Sequence, residues 1–348
     1  MKKLCALIAI LSVIAGGCKK NSAAEKGGET LTLFTWAEMF PPELLEGFTQ
    51  DTGIPVNYVN FLENEDMLSR LETSGGYDLV VADDYIIETV IEKGLAAKLN
   101  KGLLKNYGNI NPLYQEQFYD RRDEYTVPYG AGVQTIVYDP ERVSINIQGY
   151  ADLLDPSLRN RIGIIENYRV INGLALKMLG KSYNTENIAD IRAAGEKLLE
   201  LAPNIRLIKD DRLEEELLSG EIDAAVMYTS QANMASMVKP ELKQVFPQEG
   251  IGFGIMAFFI PAATRNSGAA HAFIDYVLDP ARGAACFEFI NYYSTYSASD
   301  PLIKEEYREF LSLPSNFNSS LELIQNISAE ALEEQDRIWT AFQKAAGQ

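Results

Sequence analysis

The first third of the chain alternates between short apolar segments and amphipathic segments, and this rhythm limits the folds available to it. Residues 31–36, 54–59 and 77–82 have the length and apolar content of strands, and the third is almost continuously apolar, as a buried parallel strand is. The segments between them open at Pro41-Pro42 and at Asn64, residue types that begin helices. This strand–helix order predicts a doubly wound α/β lobe.

The residues that follow these strands indicate where a ligand would bind. Ligands of open α/β sheets lie beyond the carboxyl ends of the strands. Trp36, Phe61 and Asp83 occupy those places, and a further helix is predicted from about Tyr85 to Lys93. We therefore expect a binding edge formed by aromatic and acidic side chains.

A second lobe is predicted after the glycine-rich segment 127–132, which would suit a hinge between lobes. The glycine-rich segment 250–254 would be the return crossing. The expected strands of the second lobe are residues 133–138, 162–166, 205–208 and 224–228. Helices are expected between them, including residues 170–179 and 188–201.

The charge of the chain excludes one class of partner. Its 348 residues carry 49 acidic and 31 basic side chains, for a formal net charge of -18. Such a surface repels phosphate backbones, so we expect no nucleic-acid partner. The same surplus favours a cationic ligand, although acidic residues that serve only solubility would give the same count. The length is sufficient for two domains.

The N-terminus has the order of a bacterial export signal. Lys2 and Lys3 precede the apolar segment 4–15, which is too short to span a bilayer. Ala15-Gly16-Gly17-Cys18 then resembles a lipobox, in which Cys18 is diacylated and becomes the mature N-terminus, although the usual large aliphatic residue is replaced by Ala15. Residues 1–18 are therefore predicted to be a lipoprotein signal peptide and residues 19–30 a flexible tether. A plain secretory peptide is the alternative.

Counts of cysteine and histidine exclude several kinds of site. Cys5 and Cys18 belong to the signal segment, so Cys286 alone remains and no intrachain disulfide is expected. The single histidine, His271, is expected on an exposed helix surface. A structural zinc site or a catalytic triad would need more of these residues. We expect neither a metal nor a cofactor.

Several short motifs, in their order and spacing, resemble the spermidine/putrescine-binding proteins of polyamine ABC transporters. The similarity extends from about Leu31 to Trp339. It is carried by residues 34–38, 41–48, 51–54, 77–81, 220–221, 245–250 and 260–261. The family implies a two-lobe type II solute-binding fold with two hinge crossings that closes on its ligand, and not an enzyme. The implied lobes are residues 31–130 with 255–302, and residues 131–254 with 303–348.

The resemblance also implies a set of ligand-binding residues. Trp36 matches a tryptophan that lines one side of the polyamine site. Glu38 and Glu166 match acidic residues that bind amines. Tyr228 takes the place of a stacking tryptophan, and Gln335 matches a C-terminal glutamine. The full set is Trp36, Glu38, Asp83, Asp84, Tyr85, Glu166, Asp210, Tyr228, Tyr293 and Gln335.

Three positions depart from the family pattern. Val170 and Met256 stand where the family has carboxylates, and Gly254 replaces an aromatic residue. The retained acids match positions that hold the diaminobutane part of a polyamine. The resemblance therefore implies a preference for putrescine over spermidine, delivery to an ABC permease, and a monomeric receptor.

The residue types agree with a small cation as ligand. Buried ammonium groups need carboxylates, and methylenes and cations both pack against aromatic faces. Each candidate also has a structural explanation, because strand-end aromatics pack in cores, Asp83 and Asp84 could cap a helix, and Asp210 and Asp211 could form a solvated turn.

Two other functions remain open from the residues alone. Paired carboxylates across a cleft are also the catalytic groups of glycoside-active enzymes. A receptor for an amino acid or another zwitterion would suit the apolar residues Val170 and Met256.

Overall fold

The first lobe is a parallel α/β unit. The computed structural model describes residues 30–209, 212–313 and 321–347. The strands of this lobe run parallel in the order β2-β1-β3, which confirms the predicted alternation. Its elements are β1 (Leu31–Thr35), α1 (Pro42–Thr52), β2 (Val56–Asn60), α2 (Asn64–Thr73), β3 (Leu79–Asp83) and α3 (Asp84–Glu92).

Two long antiparallel strands join the lobes. They are β5 (Thr126–Tyr138) and β10 (Ile251–Pro261). The short β4 (Ala96–Ala97) precedes both strands in the sequence. Both predicted crossings are present, but the glycine-rich segment 127–132 is continuous strand and not a loop. Gly132 is needed for close packing, because a Cβ there would lie 2.7 Å from the Tyr292 ring. A bulge between Met256 and Ala257 interrupts the pairing of β10 with β5.

The second lobe extends the sheet beyond the far half of β5. β5 pairs with β8 and with β9, and the sheet continues from β8 to β6 and then to β7. The strands are β6 (Ile162–Ile164), β7 (Ile205–Ile208), β8 (Ala224–Tyr228) and β9 (Lys243–Val245). The helices are α4 (Tyr168–Met178), α5 (Ile188–Leu201), α6 (Leu213–Ser219) and α7 (Thr229–Val238).

The remaining elements are divided between two hydrophobic cores. α8 (Ser267–Val277) and α9 (Pro280–Ile290) pack in the first core, followed by the short α10 (Glu305–Arg308). β11 (Leu321–Leu323) leads to α11 (Ala329–Ala345), which packs in the second core. Ile303 and Leu311 also pack in the first core. The residue boundaries of the two lobes stay a prediction. Among the described residues, no helix is long and apolar enough to span a bilayer.

The expectation that His271 is exposed was wrong. The side chain is 2% exposed, its Nε2 accepts from the main-chain N–H of Asn100 at 2.9 Å, and its Nδ1 lies 2.7 Å from the Ser267 carbonyl. Nδ1 therefore carries the proton and donates to Ser267. The histidine shares the buried face of α8 with Ala270 and Ile274, and it anchors the loop after β4 to that helix.

Asp84 connects α3 to the crossing strand β10. Its carboxylate is 1% exposed and accepts from the main-chain N–H groups of Tyr85 at 2.9 Å and Ile255 at 3.0 Å. Burial raises the pKa of this carboxyl well above its usual range, and the charge of Asp83 adds to the increase. The start of α3, and with it one side of the binding edge, is fixed by these bonds.

Two helical glycines should respond in opposite directions to replacement by alanine. A Cβ at Gly173 in α4 would overlap the buried ring of Tyr183, whereas a Cβ at Gly268 in α8 would meet no atom within 4 Å. We expect Gly173→Ala to lower the free energy of unfolding by about 1–3 kcal/mol through overpacking. Gly268→Ala should raise it by up to about 1 kcal/mol. The free energies of unfolding of both variants, measured in urea, test this packing. Equal changes in the two variants would contradict the predicted difference between the glycines.

Asp84 should give the stability of the protein a pH dependence of identifiable sign. Its pKa is higher in the folded state, so the protonated form is favoured by folding and stability is lost as pH rises above about 4. The difference in unfolding free energy between Asp84→Asn and the wild type should therefore shift in favour of the variant as the pH rises above about 4.

Asp155 provides the matched control for this measurement. Hydrogen bonds from Ser157 lower the pKa of its carboxyl, so its contribution is present at neutral pH and is lost as the pH falls. Asp155→Asn should accordingly show the opposite slope in urea unfolding. The same slope in both variants would show that Asp84 does not have the raised pKa.

Candidate ligand-binding site

Trp36 lies at the carboxyl edge of the first lobe, directly after β1. It is half-buried and packs against Phe61, with ring centroids 4.8 Å apart. Its carbonyl accepts from the Tyr58 hydroxyl at 2.8 Å. Because Phe61 follows β2, the carboxyl ends of two neighbouring strands supply one aromatic wall.

Glu38 stands at the tip of the loop after β1. It is exposed and has a positive φ of 56°. The loop is held by Met39, whose N–H donates to the Tyr58 hydroxyl at 3.1 Å. Burial raises the pKa of Tyr58, and the nearby Glu38 carboxylate raises it further. Glu38 therefore presents its charge close to Tyr58, beside the Trp36 wall.

Asn64 connects the acidic and aromatic residues at the end of β3. Its Nδ2 donates to Asp83 Oδ2 at 2.9 Å and to the Tyr85 hydroxyl at 3.2 Å. Its Oδ1 accepts from the Asp83 N–H at 3.3 Å, and Tyr85 donates to Glu65 Oε1 at 3.3 Å. Burial, followed by the charges of Glu65 and Asp83, raises the pKa of Tyr85. These four residues form one hydrogen-bonded unit, which we call the first-lobe cluster.

Sequence reasoning found half of this cluster. Asp83 and Tyr85 were predicted, but Asn64 was expected only as a helix cap, and Glu65 was not singled out. Both stand on the first turn of α2, after the carboxyl end of β2. Their position at the same edge as Trp36 and Asp83 was the available signal.

Tyr228 and Glu166 occupy the carboxyl edge of the second lobe. Tyr228 is the last residue of β8, and Glu166 follows β6. Tyr228 is half-buried, and its hydroxyl accepts from Asn167 Nδ2 at 2.9 Å. Asn167 also caps α4 by accepting from the Val170 N–H at 3.1 Å. Glu166 is exposed, with Gln343 Nε2 3.5 Å from its carboxylate. Asn167, which sequence reasoning missed, therefore sets the position of Tyr228.

Tyr293 and Gln335 are enclosed by protein. Tyr293 pairs with the main chain of Ala131 at the crossing, and burial raises its pKa to about 12. Gln335 is 0% exposed on α11, where its main-chain carbonyl accepts from Asn172 Nδ2 at 2.9 Å. Their predicted contacts with ligand stay predictions. Asp210 lies outside the described residues.

Both apolar departures from the family pattern are buried. Met256 on β10 pairs with Asp83 on β3 and with Gly130 on β5. Val170 lies in the first turn of α4, next to the cap formed by Asn167. Both side chains are apolar, so neither position offers a carboxylate to an ammonium group.

The arrangement has the chemistry of a cation site. The first lobe contributes the carboxylates of Glu38, Glu65 and Asp83 and the aromatic faces of Trp36 and Tyr85. Carboxylates balance ammonium charge, and aromatic faces receive both methylenes and cations. The hydrogen bonds of Asn64 hold two of these groups before any ligand arrives.

The comparisons with known proteins identify a family for the chain. Residues 43–307 match the family model described as bacterial extracellular solute-binding protein. The spermidine/putrescine-binding periplasmic protein of Salmonella typhimurium is 32% identical over 82% of this chain and 83% of its own length. The corresponding Escherichia coli protein is 31% identical over the same shares.

A solved structure shows the same architecture. It is a putative spermidine/putrescine ABC transporter protein from Listeria monocytogenes, with a TM-score of 0.85 and 28% identity, and the match covers 90% of this chain and 98% of that one. The family match, these relatives and the two-lobe fold lead to one assignment. The chain belongs to the bacterial extracellular solute-binding proteins, with a two-lobe type II fold, and is a binding protein rather than an enzyme.

Proposed function

We propose that the protein captures a polyamine outside the cytoplasm and delivers it, as a monomer, to an ABC-type permease. The first-lobe cluster carries this proposal, because it combines two carboxylates with a fixed tyrosine next to the Trp36 wall. The Salmonella and Escherichia coli relatives are named for spermidine and putrescine binding, which supports the same ligand class.

Putrescine is the proposed preferred ligand. A diamine has two charges to neutralise, and Glu38, Asp83, Glu65 and Glu166 are available at the two carboxyl edges. A third ammonium would meet the hydrocarbon of Val170 or Met256, and would lose water without gaining a charged partner. Since 1.4 kcal/mol corresponds to tenfold in affinity, one such mismatch is measurable.

Calorimetric titration with both amines tests the preference. We expect putrescine to bind about tenfold or more tightly than spermidine. Met256→Asp should narrow that ratio by improving spermidine binding. Asp83→Asn should weaken putrescine binding by roughly tenfold to a hundredfold, because it removes a charge-assisted hydrogen bond.

Asp66→Asn is the matched control, since Asp66 is an exposed α2 residue paired with Arg70. It should leave both affinities unchanged. The proposed preference would be overturned if spermidine bound tenfold more tightly than putrescine. Binding of an amino acid, with no binding of either amine, would replace the polyamine proposal with the zwitterion alternative.

Lipid attachment at Cys18 is the proposed means of retention at the periplasmic side or at the cell surface. Cys18 lies outside the described residues, so the proposal is supported by the sequence order of basic, apolar and small residues before it. Two acyl chains would hold the receptor stably at a membrane.

Two cysteine variants of the full chain test the anchor. Cys18→Ser should move the protein from the detergent phase to the aqueous phase in a partition experiment. Cys5→Ser, within the same segment, should leave it in the detergent phase. Retention of the Cys18→Ser variant in detergent would contradict lipid attachment at this residue.

A further inference from the structure

The segment 321–327, which we call the C-terminal strap, is fixed to the second lobe. Glu322 accepts from Lys177 Nζ at 2.5 Å. Asn184 donates to the Leu323 carbonyl at 2.8 Å and accepts from the Gln325 N–H at 2.8 Å. Ile324 and Ile327 pack in the second core. These contacts make the strap part of the second lobe.

The strap nevertheless reaches the first lobe at α3. Asn326 Nδ2 donates to the Thr89 hydroxyl at 3.2 Å. The main-chain N–H of Asn326 also donates to the Glu88 carboxylate one residue earlier. Because α3 begins at Asp84 and Tyr85, this contact is made to the helix that carries part of the first-lobe cluster.

Arg169 ties the strap to the ligand-facing start of α4. Its guanidinium is 3% exposed and donates to the Gln325 carbonyl at 2.9 Å. Burial lowers its pKa, while the charges of Tyr168, Tyr85, Glu65 and Asp84 oppose that change. The charges of acidic and phenolic groups of the first lobe therefore act on this guanidinium, which lies on α4 two residues after Asn167.

We propose that the C-terminal strap is an interlobe latch, in which Asn326 on the second lobe holds Thr89 on the first and thereby stabilises the closed arrangement. Thr89 and Asn326 act as positioning residues, and the inference rests on the proposed ligand-binding function. The apparent dissociation constant of a receptor equals its intrinsic value divided by the closed, competent fraction. Loss of the latch therefore weakens every ligand by the same factor.

Thr89→Val, Asn326→Ala and the double variant test the latch in the full chain. One lost neutral hydrogen bond should raise the putrescine dissociation constant roughly threefold to tenfold. The increase should come from faster dissociation, measured by stopped flow. Both substitutions break the same Thr89–Asn326 hydrogen bond, so the double variant should be no weaker than the weaker single variant. The ratio of putrescine to spermidine affinity should stay at its wild-type value.

Thr49→Val is the matched control, since Thr49 is a half-buried threonine of α1 whose hydroxyl donates within its own helix to the Leu45 carbonyl. Unchanged dissociation rates in the latch variants would overturn the latch. A changed ratio of putrescine to spermidine affinity would also overturn it, because it would indicate that these residues contact the ligand.

Small-angle scattering of the ligand-free variants separates failure of the latch from failure of the polyamine proposal. The latch variants should have a larger radius of gyration than the wild type and Thr49→Val, whatever the ligand is. A radius equal to that of the control in all three latch variants would overturn the latch even if no polyamine binds.

Discussion

The antiparallel pairing of β5 with β10 is the interaction on which the rest of the structure depends. Their ladder runs from Phe253 opposite Val133 to Phe259 opposite Thr126. On one side β10 also pairs with β3, and on the other β5 continues into the second lobe. The ladder thus carries main-chain hydrogen bonds from one core to the other, and it places both carboxyl edges opposite each other.

Much of this architecture was predictable from local chemistry, because strand rhythm and helix signals are local properties. Pro42 opens α1, as the sequence indicated, and Gly53 ends the helix in the left-handed region. The burial of His271 was not predictable, because the Asn100 N–H group that donates a hydrogen bond to its ring belongs to a loop distant in sequence. Asn64 was expected to be a helix cap, but Glu63 is at the N-cap of α2 and Asn64 is the first helical residue. Its bonds to Asp83 and Tyr85 were not predictable for the same reason, because the parallel sheet brings these partners to it.

The two halves of the candidate site are organised by different means. In the first lobe, a side-chain amide holds a carboxylate and a tyrosine together. In the second, Asn167 holds Tyr228 while it caps the helix that carries Val170. Each half is therefore ordered by its own hydrogen bonds, so the entropy cost of capture falls chiefly on the relative motion of the lobes rather than on individual side chains.

The register of the crossing strands restricts that motion. Sliding one lobe past the other would require the β5–β10 pairs to exchange partners, and a shift of one residue would turn every side chain on the strand to the opposite face. Bending and twisting leave the pairs intact. A fluctuation of this kind returns the same two edges to face each other without a search over alternative alignments, so the β5–β10 ladder preserves the geometry between the edges.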